Sequence, residues 1–223
     1  MQQTFQGLTP DAYKFFWEIA LRNEKSVFEK NRARYIREVK DPMVALCMAL
    51  NATALEIDPG LDTRPSAVVS RIRRDTRFSK DKTPYRDNMF LSYKHHGMRT
   101  GESFVLYAEF EREAYGYGMG MYCPGPQYMA EVRARILARP ATFLSLANDP
   151  AVRGKFELRG DEYKRPRCPD APQELSPWLN KKNISYCFSS PDLARTMQPA
   201  LVDEIIEGWQ ALKPLYRFIQ GVE

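Results

Sequence analysis

Seven basic residues crowd the short stretch from Arg71 to Arg86: Arg71, Arg73, Arg74, Arg77, Lys80, Lys82 and Arg86, opposed only by Asp75 and Asp81. Their surplus equals the formal net charge of the chain, +5 from 33 basic and 28 acidic residues, so the rest of the sequence is electrically balanced. Guanidinium groups grip phosphate or carboxylate through paired N–H donors, lysine adds a point charge, and the hydroxyls of Ser79, Thr83 and Tyr85 add neutral donors. The chemistry this pattern offers is anion recognition. The expected contacts are Arg71, Arg74, Arg77, Lys80, Lys82 and Tyr85, and the expected partner is a small phosphorylated ligand.

A second reading uses the same residues differently. Arg74 with Asp75, and Lys80 and Lys82 with Asp81, form ion pairs that pin a long connection. Tyr85 and Phe78 anchor that connection in the core and Pro84 stiffens it, in a non-catalytic interaction or scaffold protein. If residues 67–74 form a strand, Arg71 and Arg73 share one face while Arg74 joins Ile72 on the other, which splays the charges. Single-stranded nucleic acid is a lesser alternative, with Tyr85, Tyr93 and Phe90 available to stack on bases. No recognition helix, aromatic RNA-binding strand or zinc-finger spacing accompanies it.

Other chemistry is thinly represented. Glu109, Glu111 and Glu113 alternate onto one strand face, and paired carboxylates serve acid–base or metal chemistry. Their blander reading is a solvated face that balances nearby arginines. His95 and His96, the two histidines of the chain, point to opposite faces of a strand and read as surface residues. Cys47, Cys123, Cys168 and Cys187 form no metal-ligand spacing. No nucleophile elbow, phosphate-binding loop or dinucleotide fingerprint occurs. No cofactor and no metal are expected, and no reaction is assigned.

The elements that must position these residues read as helices, then strands, then helices. Thr9-Pro10-Asp11 starts one helix, and Ser26 with Glu29 gives a capping-box start for another. Phe28, Tyr35, Val39, Met43, Leu46, Leu50, Ala54 and Ile57 mark one apolar face, with Pro42 expected to kink or restart the helix before Asp58-Pro59-Gly60 ends it. Residues 67–74, 88–94, 103–111 and 115–122 have strand composition. In the last, Tyr115, Tyr117, Met119 and Met121 face one way and Gly116, Gly118 and Gly120 the other. Such a glycine face suits a tightly packed helix or the floor of a ligand site.

Residues 127–138 and 141–147 read as helices, 154–167 as a charged hairpin, and 184–188 as a short strand. The second basic cluster, Lys155, Arg159, Lys164, Arg165 and Arg167, strengthens the anion site if the fold brings it beside the first. Leu193, Met197, Leu201, Ile205, Trp209 and Leu212 form a C-terminal amphipathic stripe that Pro199 and Pro214 should break. The fold class is therefore α+β, a central antiparallel sheet flanked by N-terminal and C-terminal helices, in a single domain over residues 1–223.

A hydrophobic fraction of 43% and an aromatic fraction of 12% fit a globular chain. Four scattered cysteines, no leader pattern and no bilayer-length apolar run point to a cytoplasmic protein with no membrane partner. Composition gives no oligomeric state.

The basic segment also carries a resemblance. Arg71, Ile72, Arg74, Asp75, Arg77, Phe78, Ser79, Asp81, Lys82, Thr83, Pro84 and Tyr85 match R-I-x-R-D-x-R-F-S-x-D-K-T-P-Y. This motif resembles the signature of the bacterial "domain of unknown function 2461" family. Phe5, Gly7, Leu8, Asn23, Phe28, Glu29, Asn31, Arg32 and Tyr35 are similar to that family's opening. The strand ending at Pro124 and the turn at Lys164-Arg165-Pro166 also resemble it. Val27-Phe28 stands where the family suggests a Trp-Phe pair, and the glycines at 116, 118 and 120 are spaced rather than contiguous. The resemblance implies a fold shared over nearly the whole chain and brings no activity with it.

Overall fold

The computed structural model describes residues 4–77 and 79–222. Phe78, an expected anchor of the basic segment, lies outside them. Helix α1 (Pro10–Leu21) begins as expected, with the Thr9 hydroxyl accepting the Ala12 N–H at 3.3 Å. Helix α2 (Lys25–Tyr35) starts from Glu24 without a side-chain cap, and Ser26 donates to the Glu24 carboxylate instead of forming the capping box. The chain then passes Pro42 without a break. A π-helical turn at Ile36–Lys40, where the Asp41 N–H reaches back to the Ile36 carbonyl, leads into α3 (Asp41–Ile57). All eight apolar positions expected on this face are buried.

Proline interrupts the middle of the chain differently from expectation. Pro65 opens a helical turn, α4 (Pro65–Val68), so residues 67–74 form no strand. Val69 and Ser70 instead run along the outer edge of β1 (Met89–Tyr93), through a bridge to Leu91 and a 2.9 Å bond from the Ser70 N–H to the Phe90 carbonyl. That edge is thereby covered, as exposed edges generally must be. Strands β2 (Val105–Phe110) and β3 (Tyr115–Gly120) follow, so Glu111 and Glu113 fall in a turn beyond β2 and only Glu109 is on the strand.

Helices α5 (Pro126–Ala138) and α6 (Pro140–Ala147) and a turn, α7 (Pro150–Arg153), precede β4 (Glu157–Arg159). The expected hairpin over 154–167 is absent: β4 pairs with β5 (Ser185–Ser190), which follows the short turn α8 (Ser176–Leu179). The sheet is antiparallel throughout in the order β1-β2-β3-β5-β4. Leu193–Met197 forms a 3₁₀ turn, Pro199 separates it from α9 (Leu201–Gln220), and α9 continues straight through Pro214. Burial of Trp209, Leu212, Leu215 and Tyr216 on that helix outweighs a proline penalty of about 3 kcal/mol.

Strand alternation gives the sheet two unlike faces. Met89, Leu91, Tyr93, Leu106, Ala108, Phe110, Tyr115, Tyr117 and Met119 join α3 and α9 in one contiguous core. Tyr93 donates to the Cys47 carbonyl of α3 at 2.7 Å and stands edge-on to Trp209 of α9. Close approach of α9 needs Gly208, where a Cβ would stand 2.5 Å from the Tyr117 ring. No described helix is long and apolar enough to cross a membrane.

Candidate functional site

The basic segment folds as an irregular hairpin. Arg73 bridges Tyr85, the Arg74 N–H bonds the Pro84 carbonyl at 2.9 Å, and the Arg86 N–H bonds the Ile72 carbonyl at 2.7 Å. Asn23 clips it to the end of α1 by accepting the Tyr85 N–H and donating to the Tyr85 carbonyl, both at 2.9 Å. Tyr85 is buried and stacks on Phe28 with ring centroids 4.3 Å apart. Its ring is therefore part of the core.

The hairpin largely answers its own charges. Arg74 pairs with Asp81 and donates to the Thr83 hydroxyl at 2.5 Å. Asp81 also accepts the Thr83 N–H at 2.9 Å, and that bond, followed by Arg74, pulls its pKa down to about 2. Asp75 accepts two parallel bonds from Arg77 at 3.0 and 2.7 Å, which likewise bring it to about 2. Lys82 donates to the Thr76 carbonyl at 2.9 Å. Arg71, Arg73 and Lys80 are exposed around these contacts. The carboxylate partners are exposed acids of the hairpin itself.

Arg86 differs from the other cations. It is half-buried at the foot of the hairpin, 5.4 Å over the Phe90 ring, with no carboxylate or hydrogen-bond acceptor for its guanidinium among the described residues. Desolvation, then the charge of Arg74, press against its charged form. Arginine nevertheless keeps its proton, so an anion is the natural relief.

Arg86 lines a cavity of about 920 Å³ on the sheet face that α3 and α9 leave open. The register explains the walls. Arg86, Asn88, Phe90 and Ser92 are alternate residues pointing away from Met89, Leu91 and Tyr93. Phe90 lies opposite Glu109, and Ser92 opposite Tyr107. Glu109 and Tyr107 in turn face Gly116 and Gly118 on β3, and Gly118 faces Cys187 on β5. Of the glycine column, Gly120 lines the cavity.

Among the described residues, none of the atoms nearest to a Cβ built on that column belongs to a helix. What comes close is β5 itself: a Cβ at Gly118 would stand 1.9 Å from the Tyr186 carbonyl oxygen. The Tyr107 hydroxyl reaches over Gly118, 3.3 Å from where a Cβ would stand. Glu109, expected on a solvated face, is withdrawn from water. Burial pushes its carboxyl up from the ordinary range, Glu111 adds to the effect and Arg159 opposes it. It makes no hydrogen bond or ion pair among the described residues.

The second basic cluster does not converge on the first. β4 and β1 are opposite edges of the sheet, roughly 19 Å apart at ordinary strand spacing. Arg159 pairs with Glu157, Arg167 sits over Tyr163, and Lys155 sits over Tyr117 and Phe188. Lys155 belongs to a smaller cavity of about 520 Å³ beside α9, where Glu204 accepts the Tyr115 and Tyr117 hydroxyls and pairs with Arg195. His95 and His96 are each tied to a buried acid, at 2.7 Å to Asp58 and 3.5 Å to Asp62. Tyr93 is buried in the core, which leaves Phe90 alone of the three expected base-stacking aromatics in the cavity.

The molecule is thus an α+β protein with one sheet face buried under helices and the other forming a cavity lined by charged and polar side chains. The chain belongs to the family described as "Conserved hypothetical protein (DUF2461)", whose model matches residues 11–218. No curated protein and no solved structure matches it.

Proposed function

We propose that this protein binds a small phosphorylated or otherwise anionic ligand in the open-face cavity, with Arg86 as the direct contact. The observation that carries this reading is that half-buried Arg86 lines a large cavity and its guanidinium has no ion-pair or hydrogen-bond partner among the described residues. Arg74 stands close enough to press on Arg86 electrostatically and adds positive potential at the same end. Arg71, Arg77, Lys80 and Lys82 belong to the same hairpin and add to a field that favours anion approach, and Tyr85 fixes the hairpin in place. The single contiguous core supports reading residues 1–223 as one domain.

The scaffold reading draws support from the Arg74–Asp81 and Arg77–Asp75 pairs, which tie the hairpin to itself. Thermal melts in rising phosphate separate the two. A ligand at one hundred times its Kd adds about 2.7 kcal/mol, so wild type should melt higher and Arg86→Gln should not respond. An equal response in Arg86→Gln removes Arg86 from the site. No response to any anion, with early melting of Arg74→Gln, favours the scaffold.

A further inference from the structure

Ser92 is 2% exposed, and its hydroxyl has no hydrogen-bond partner among the described residues. Buried hydroxyls are normally satisfied, and one left alone costs stability. This one lines the cavity. The other such atom, Trp209 Nε1, belongs to the core on α9. Ser92 is also one of a set. Asn88 and Glu109 line the same cavity, and neither side chain makes a hydrogen bond among the described residues.

These groups share a chemical property. A serine hydroxyl, a carboxamide and a carboxyl all accept hydrogen bonds, and the first two also donate, which matches ligand hydroxyls that do both. Burial moves the Glu109 carboxyl up from its ordinary range; Glu111 beside it reinforces this, Arg159 from β4 opposes it, and Tyr107 and Cys187 lie on the neighbouring register. The arrangement is linear. Asn88 and Ser92 are separated by four residues of extended chain, about 13 Å, and the Arg86 guanidinium leans onto Phe90, the residue between them, 5.4 Å from its ring. A charge is answered at Arg86, and hydrogen-bonding groups flank it along the strand.

We propose that the ligand is a phosphorylated polyol, its phosphate on Arg86 and its hydroxyl groups on Asn88, Glu109 and Ser92. This rests on the anion reading of the same cavity and adds the part of the ligand that carries no charge. Phe90, between Asn88 and Ser92, gives the carbon skeleton an apolar wall.

Calorimetric titration with methyl phosphate, glycerol 3-phosphate and ribose 5-phosphate tests it, on wild type, Arg86→Gln, Ser92→Ala and Asn88→Ala. Wild type should bind the two polyol phosphates about tenfold more tightly than methyl phosphate, the return of one or two net hydrogen bonds. Ser92→Ala and Asn88→Ala should each shrink that preference while leaving methyl phosphate unchanged, and Arg86→Gln should weaken all three. Should Ser92→Ala fail to fold, Asn88→Ala reads the same preference from the cavity's other end. Equal affinity of wild type for all three probes would overturn the polyol assignment and leave the anion reading standing. Absence of binding by any probe would overturn both.

Discussion

Two side chains set the character of the cavity, and each has its own consequence for stability. Ser92 holds a hydroxyl in a place where it satisfies nothing in the protein. An orphaned buried hydroxyl costs about 1–3 kcal/mol, so Ser92→Ala should leave the unliganded protein as stable as wild type or up to about 2 kcal/mol more so. Chemical denaturation reads this directly, and a clear loss of stability would mean that the hydroxyl has a structural partner. Glu109 makes a pH-dependent contribution. Below pH 4.5 its carboxyl is protonated in both the folded and unfolded chain and contributes nothing. As pH rises toward the elevated folded value, the unfolded chain releases a proton that the folded chain retains, so stability falls and stays lower above it. Glu109→Gln should therefore stabilise the protein at pH 8 and not at pH 4, as denaturation midpoints at the two values will show. An equal effect at both would place the carboxyl in water. The residue types alone hid this site: Glu109 looked like one of three solvated acids, and nothing in its neighbours in sequence signals the wall that covers it.

The strands carry a clearer message. Strand composition placed β1, β2, β3 and β5 close to their observed limits, and alternation separated the tyrosines and methionines of β3 from its glycines. It also holds a signal for the cavity: Arg86, Asn88, Phe90 and Ser92 alternate with Met89, Leu91 and Tyr93, the period of one buried and one open face. The role of the glycines depends on a partner strand distant in sequence. Gly118 is required by the carbonyl of Tyr186 across the ladder, a contact no local pattern contains. Gly118→Ala should cost about 3 kcal/mol, at the upper end of overpacking. Gly125→Ala, a helix N-cap with nothing within 4 Å of a new Cβ, should cost less than about 1 kcal/mol. Thermal or urea unfolding of the pair tests the close approach, and equal costs would refute it. Residues 67–74 misled because their β-branched content was outweighed by a helix-starting proline, and residues 154–167 because their partner was β5.

At the scale of the molecule, charge density marks the hairpin, and the fold decides which of its cations lines the cavity. The hairpin sequence has seven basic residues of similar appearance. Two acids within it engage Arg74 and Arg77, a carbonyl takes Lys82, and Asn23 and Phe28 fix Tyr85 as an anchor. Arg86 is left at the base of the hairpin because it begins the extended run into β1, which aims every second side chain at the open face. That selection depends on the sheet and on which of its faces α3 and α9 cover, so composition could not make it. The hairpin and the sheet together define one central claim: the anion seat is Arg86, with the other cations outside it. The most direct measurement is a phosphate titration followed through the Nε–Hε resonances of the arginine side chains by nuclear magnetic resonance. The Arg86 resonance should move saturably while those of Arg74 and Arg77, held by Asp81 and Asp75, stay in place. Movement of Arg74 and Arg77 with Arg86 unchanged would contradict the account and return the anion to the hairpin.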